Sequence, residues 1–302
     1  MARFAIHTQA LTKYWGEVVG VEALSLDVPE GEVFGFLGAN GAGKTTTIRM
    51  LLDLVRPTSG TATVLGFDCQ RQGLEVRGRV GYLPGEMPIY PELTGERYLT
   101  FLASLGARPP SRARLEFLFR RFDVSDLDLR RRMRDYSHGM KRKLGLIQAL
   151  MTDAPVLILD EPTSGLDPLM IEAFSETIDE LSQAGRTTIF MSSHILSEVD
   201  RVCRRIGLVR HGHLVAVRTL AELRSAAPRR VTIVFSQPVC ADVPPIDGVV
   251  VVSREPTRWV LDVQGPLGRL VASLNGCPIT DLSIAPFTLD DTILRLLGEQ
   301  RS

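Results

Sequence analysis

The run Gly38-Ala39-Asn40-Gly41-Ala42-Gly43-Lys44-Thr45 limits what this chain can fold into more than any other segment. It follows Val33 to Leu37, which reads as a short buried strand, and it precedes Ile48, Leu51, Leu52 and Val55 at helical spacing. Strand, glycine-rich turn and helix form the context in which G-x-x-x-x-G-K-[ST] wraps a phosphate. Gly38, Asn40, Gly41, Ala42 and Gly43 would bring backbone N–H groups to the phosphate oxygens, and the following helix, with Thr45 and Thr46 in its first turn, would add the positive end of its dipole. Lys44 would reach the β and γ phosphates, and the Thr45 hydroxyl would face a divalent cation.

The same chemistry requires an acidic residue at the end of a second buried strand, and Val156-Leu157-Ile158-Leu159 ends in Asp160-Glu161. Taken alone, such a pair is as readily a solvated strand end as a metal site. Beside Lys44 it reads as the second half of a nucleotide site: Asp160 would hold Mg²⁺ through water and Glu161 would polarise an attacking water.

Thr187 to Met191 is a further apolar strand. A helix carrying Ile171, Phe174, Ile178 and Leu181 on one face separates it from the strand before Asp160. Strands alternating with helices predict an α/β body with a mainly parallel sheet covered on both faces. Residues of about 90–150 turn helical and Arg-rich, as an inserted helical subdomain would. Ile206 to Val209 and Leu214 to Val217 read as a hairpin around His211-Gly212. From about residue 225 the texture changes to short strands, at Val231 to Phe235, Val249 to Val252 and Trp259 to Val263. A helix at about 266–275 and a terminal helix after Thr288 complete that segment, so the predicted division is 1–222 and 225–302.

Thirty-five Lys and Arg residues balance thirty-five Asp and Glu, so no global field draws in nucleic acid or anionic lipid, and no nucleic-acid partner is expected. The cluster Arg130-Arg131-Arg132-Arg134 with Lys141-Arg142-Lys143 therefore reads as a solvated helical face or as salt bridges between subunits. The four cysteines are far apart and form no C-x-x-C pair, which excludes a zinc knuckle or disulfide framework. No run of 18 apolar residues predicts a membrane-spanning helix, and the N-terminus lacks the apolar core of a leader.

Glu161 is followed at once by Pro162-Thr163-Ser164-Gly165-Leu166-Asp167, and here the sequence resembles the ATP-binding cassette (ABC) family, whose D-loop this run is similar to. Tyr136-Ser137-His138-Gly139-Met140, shortly before an apolar helix, resembles the family signature LSGGQ, and His194 in Ser192-Ser193-His194 resembles its switch histidine. The resemblance spans roughly residues 3–222. It implies an α/β fold of the P-loop NTPase class: an ABC cassette with a mainly parallel sheet, an antiparallel β part and a helical subdomain, here followed by a small α+β C-terminal domain.

It also implies site roles. Ser137 and Gly139 would contact the γ-phosphate of ATP held by a second cassette, with Asp167 in the neighbouring D-loop. His194 would touch the γ-phosphate and orient Glu161. An aromatic ring stacked on adenine would be Trp15, with Tyr14 as the competing ring. Three positions depart from the family pattern. His138 stands for a glycine, where its ring would narrow the approach or, when protonated, add a charge. Met140 stands for the glutamine. Gly85, in Tyr82-Leu83-Pro84-Gly85-Glu86, stands where the family places a glutamine that touches Mg²⁺, leaving Glu86 or water to fill that role.

By resemblance the chain is thus the ATP-hydrolysing subunit of a transporter, in texture a bacterial drug-resistance exporter. It would bind ATP and Mg²⁺, pair as a homodimer of cassettes, and serve separately encoded transmembrane permease subunits from the cytoplasmic face of the membrane. A nucleotide-gated binding protein with weak turnover and a soluble ABC ATPase outside transport are the competing readings.

Overall fold

The computed structural model describes residues 3–88, 90–106, 109–226, 229–239 and 246–286. The chain divides into two compact units, Met1–Thr219 and Leu220–Ser302.

The first unit opens with two long antiparallel strands, β1 (Phe4–Trp15) and β2 (Val18–Pro29). Neither shows a clean alternation of apolar and polar residues, because the register shifts several times along the pair and Ala10 and Ala23 take positive φ. Each shift moves the buried residues out of step with a period of two, which hides the strands from a pattern reading.

The strand β3 (Val33–Leu37) then enters the interior and is buried along its whole length. The helix α1 (Lys44–Leu51) follows the glycine-rich loop. It ends before Val55, the last residue of the predicted stripe, because Asp53 turns left-handed (φ 54°) and closes the helix. Leu54 N–H donates to Arg49 C=O at 2.8 Å and Asp53 N–H to Met50 C=O at 3.2 Å, the paired bonds of a Schellman stop. The strands β4 (Ser59–Val64) and β5 (Phe67–Asp68) complete an antiparallel sheet in the order β2-β1-β4-β5.

After α2 (Gly73–Arg77) and β6 (Val80–Leu83) the chain becomes helical: α3 (Gly95–Leu105), α4 (Arg112–Arg121), α5 (Asp126–Arg130) and α6 (His138–Leu150). These four helices begin on Thr94, Ser111, Ser125 and Ser137, and each of these hydroxyls accepts from the amide three residues on. The main sheet is completed by β7 (Val156–Asp160), α7 (Pro168–Gln183), β8 (Thr188–Ser193), α8 (Leu196–Val202), β9 (Arg205–Arg210) and β10 (His213–Thr219).

The six strands lie in the order β10-β9-β3-β8-β7-β6, parallel from β9 to β6, with β10 returning antiparallel through the His211-Gly212 turn. β3, β7 and β8 are covered on both faces, which is why they read as continuous apolar runs. Because they are parallel neighbours, the loops that leave them open at one edge of the sheet. This is the predicted α/β cassette with its antiparallel part and helical insertion. No helix among the described residues is long and apolar enough to cross a membrane.

The second unit begins with α9 (Leu220–Ala226) and holds an antiparallel sheet of β11 (Arg229–Phe235), β12 (Val249–Glu255), β13 (Arg258–Val263) and β14 (Ile279–Pro286), in the order β12-β13-β11-β14, with α10 (Gly268–Ser273). Val231, Ile233, Phe235, Trp259, Leu261 and Val263 alternate inward and pack with Leu270 and Leu274 into a core of their own. The helix predicted after Thr288 lies outside the described residues.

At the centre of the main sheet, the fully buried Phe190 ring stacks on Phe34 (5.8 Å between centroids) and tilts on Phe36 (5.2 Å). Phe190→Ala should lower unfolding stability by about 3–5 kcal/mol, measured by denaturant titration. A loss below about 1 kcal/mol would show that this cluster is not tightly packed.

Candidate nucleotide-binding site

Three loops meet at the open edge of the sheet: the one after β3, the one after β7 and the one after β8. The first is shaped by its glycines. Gly43 takes φ 104°, and a Cβ there would stand 2.5 Å from Gly20 C=O, so only glycine fits at this helix entry. Gly43 is also the N-cap of α1 and has no side chain to cap with, so the amides of Lys44, Thr45 and Thr46 have no acceptor within the helix. A helix start with free amides and a positive dipole end is suited to an anion. Asn40 and Gly41 are exposed in this loop, whereas Gly38 and Ala42 are buried beneath it.

Lys44 is only 5% exposed. Its Nζ donates to Gly38 C=O (2.7 Å) and Ala39 C=O (3.2 Å) and pairs with Glu161 Oε1 at 3.2 Å. The structure thus brings together the lysine of the first loop and the second carboxylate of β7, which are more than a hundred residues apart in sequence. His194 Nδ1 stands 3.2 Å from the same Glu161 oxygen. One carboxylate oxygen is therefore shared by a cation and an imidazole.

Asp160 is fully buried. Thr45 Oγ1 donates to its Oδ2 at 2.8 Å and Ser192 Oγ to its Oδ1 at 2.5 Å, so both oxygens are engaged and the charge is compensated by hydrogen bonding. The adjacent Thr45 hydroxyl and Asp160 carboxylate are hard oxygen donors on one side of the loop, the donor type that Mg²⁺ takes together with water and phosphate oxygens. Glu161 adopts a left-handed backbone (φ 49°), rare for a residue with a Cβ, and its N–H donates to Ser192 Oγ (3.0 Å) and Ser192 C=O (3.2 Å).

Sequence reasoning missed Ser192, which serves both acidic residues from the end of β8. It also placed Arg142 wrongly, in a solvated or intersubunit face. Arg142 is 2% exposed and donates inward to five backbone carbonyls: Pro84 (2.8 Å), Gly85 (3.1 Å), Asp160 (2.6 Å), Glu161 and Pro162 (3.2 Å). Burial is the main force lowering its guanidinium pKa, to about 10, and the charges of Asp160 and Glu161 work against that. The signal was present in the sequence: Arg142 shares one face of α6 with Gly145, Leu146 and Ala149, at intervals of three, four and seven, and all are buried. Its neighbours do lie at the surface, where Arg132 and Arg134 pair with Glu92 and Arg131 lies near Asp128 within the chain.

The remaining predicted residues occupy the periphery. Trp15 is 52% exposed, under a Lys13 ammonium 4.5 Å from its ring centroid, and its indole edge lies against Gly20, the residue whose carbonyl abuts Gly43. Tyr14 is instead tied by its hydroxyl to Glu22 (2.8 Å). Ser137 caps α6 by accepting from Met140 N–H (3.2 Å), and Asp167 caps α7 by accepting from Met170 N–H (3.0 Å). The His138 ring rests against Gly165 in the run after Glu161, filling the space where a Cβ on Gly165 would stand. Gly139 lies close to the Gly165 carbonyl. Glu86 is exposed and makes no hydrogen bond or ion pair to Thr45 or Asp160.

Comparisons with known proteins agree with this geometry. Residues 21–164 match the ABC transporter family model. The chain is 39% identical over 222 residues to the bacitracin transport ATP-binding protein BcrA of Enterococcus faecalis, covering 73% of this chain and 71% of that one. It is 36% identical over 313 residues to the daunorubicin resistance ATP-binding protein DrrA3 of Streptomyces coeruleorubidus, covering 100% and 98%. Among solved structures, an ATP-binding subunit of an ABC transporter superposes with a TM-score of 0.66 at 30% identity, over 73% of this chain and 92% of that one. The site and fold define a nucleotide-binding cassette of the P-loop class. This chain belongs to the ABC transporter family, as an ATP-binding, ATP-hydrolysing subunit.

At Gly85 a Cβ would stand 3.1 Å from Asp160 Oδ2, a carboxylate that Thr45 and Ser192 hold on both sides. Gly85→Ala should therefore lower kcat for ATP hydrolysis about tenfold, or about 1.4 kcal/mol of barrier, with little change in thermal stability. Gly85→Gln, which restores the residue type usual in the family, meets the same crowding and should not raise the rate. A faster Gly85→Gln variant would show that Asp160 can yield.

Proposed function

We propose that this chain powers a separately encoded exporter permease, hydrolysing ATP as a paired cassette on the cytoplasmic face of the membrane. The observation that carries this reading is the convergence of Lys44 and His194 on one carboxylate oxygen of Glu161 beside the Thr45–Asp160 pair. The names of the relatives BcrA and DrrA3, one for bacitracin transport and one for daunorubicin resistance, support export of a drug-like molecule.

In this account the loop amides of Asn40, Gly41, Gly43, Lys44, Thr45 and Thr46 hold the phosphates, while the Gly38 carbonyl helps hold Lys44 in place. The Gly38 and Ala42 N–H groups, expected from sequence to face the phosphates, donate instead to Ser193 C=O (3.2 Å) and Ala39 C=O (3.1 Å). Lys44 shifts from the loop carbonyls toward the β and γ oxygens. Trp15 offers its exposed face to the adenine ring. Thr45 and Asp160 would hold Mg²⁺, which would neutralise charge developing on the transferred phosphoryl group. Glu161 accepts a proton from the attacking water as the water oxygen bonds to the γ-phosphorus and the bond from that phosphorus to the β–γ bridging oxygen breaks, releasing ADP and phosphate, and His194 keeps that carboxylate oriented. Ser137 and Gly139 lie at the positive end of α6, and with Asp167 they would meet the nucleotide bound by the partner cassette.

A low-turnover, nucleotide-gated binder is the alternative favoured by one observation, the His138 ring seated against Gly165 between the two segments that would face a partner. The wild-type turnover separates the two readings, and Glu161→Gln tests the residue on which the first rests. The variant should bind ATP with wild-type affinity, lose hydrolysis by at least about a hundredfold, and run as a dimer in ATP during size-exclusion chromatography. A variant that still hydrolyses ATP at the wild-type rate would remove Glu161 from the chemistry.

A further inference from the structure

Arg142 has no place in the account so far, yet it is a charged side chain beside the site that is only 2% exposed. It leaves α6 five residues after the Ser137 cap, and its five acceptors lie on two other segments: the turn at Pro84 and Gly85 after β6, and the Asp160-Glu161-Pro162 backbone at the end of β7. All five are backbone carbonyls, so the guanidinium is fixed by the course of the chain and not by a mobile carboxylate. Only a planar fork of five N–H donors can span two segments in this way, and a lysine ammonium has a single nitrogen.

One of the two segments it grips is under conformational strain. Glu161 is left-handed, and its side chain is the carboxylate shared by Lys44 and His194. Ser192 fixes the Glu161 N–H and Arg142 fixes its C=O, so the peptide groups on both sides of the strained residue are held from different elements. The turn at Gly85, which lacks the glutamine usual in the family, is held by the same guanidinium.

We propose that Arg142 is a positioning residue for hydrolysis: it clamps the left-handed Glu161 turn and the Pro84-Gly85 turn to the start of α6, so that the Glu161 carboxylate is aimed only while α6 is seated. This rests on the reading that Glu161 activates water. Arg142 touches neither nucleotide nor water and acts through the Glu161 backbone.

The test compares Arg142→Lys and Arg142→Met with Glu161→Gln in the full-length protein, following ATP affinity by calorimetry, steady-state kcat and KM, and thermal unfolding. The expected result for Arg142→Lys is a kcat about 30- to 100-fold lower, with ATP affinity and KM within threefold of wild type. Arg142→Met should lose as much kcat or more. In single-turnover measurements, adding Arg142→Lys to Glu161→Gln should cost less than threefold further, because the group it positions has gone. An unchanged kcat in Arg142→Lys overturns the proposal. So does a loss of ATP affinity in step with kcat, which would make Arg142 an ordinary part of the fold. Wild-type turnover in Glu161→Gln would instead overturn the underlying reading and leave the Arg142 result without a target.

One measurement on the unmutated chain needs no variant to fold. The amides of Glu161, Thr163 and Ser164 and those of the first turns of α6 should exchange hydrogen with a common opening rate in mass-spectrometric labelling. Independent opening of the two segments contradicts the clamp.

Discussion

A buried carboxylate holds this site together. Asp160 has no exposure to solvent, and a charge so placed is tolerated only when its oxygens are satisfied. The two groups that satisfy it come from different elements: Thr45 from the first turn of α1 and Ser192 from the end of β8. Hydrogen bonds to a charged group contribute roughly 1.5–3 kcal/mol each, so each of these two does about as much to fix the site as a buried apolar side chain. The parallel order β3-β8-β7 makes the meeting possible, because it delivers the three strand ends to one edge.

From that anchor the next residue is forced into an uncommon conformation. The chain must turn directly after Asp160, and Glu161 takes the left-handed region at a cost of about 1–3 kcal/mol. Bonds from Ser192 and Arg142 hold that turn, and its outcome is a carboxylate facing Lys44 and His194. Strain, buried charge and the carboxylate proposed to activate water thus lie within two consecutive residues, and the supports come from β8 and α6. The arrangement links the helical subdomain to the chemistry, since α6 carries both the Ser137 cap and the Arg142 fork.

Much of this was legible in the sequence. The loop, Asp160 and Glu161 are short-range signals tied to buried strands, whose apolar runs are unmistakable because both faces are covered. The hairpin at His211-Gly212 and the Ser and Thr caps of the helical insertion follow local rules as well. What escaped was non-local or irregular. β1 and β2 are interrupted by shifts of register that erase the period of two. Ser192 is an ordinary hydroxyl until β8 pairs with β7. Arg142 was obscured by the charged residues on either side of it, which suggested a wet surface, although its own helical face is apolar. Charge type outweighed periodicity in that reading, and periodicity was the better guide.

If each site is completed by the Ser137 end of a partner's α6, this cassette works only in pairs. The most direct measurement is the specific ATPase rate of the purified chain as a function of its own concentration, with saturating ATP and Mg²⁺. Activity per molecule should rise with concentration toward a plateau, as a dimerising enzyme requires. A specific activity that is constant from the lowest concentration at which the protein is monomeric would contradict the account, because one cassette would then suffice for hydrolysis.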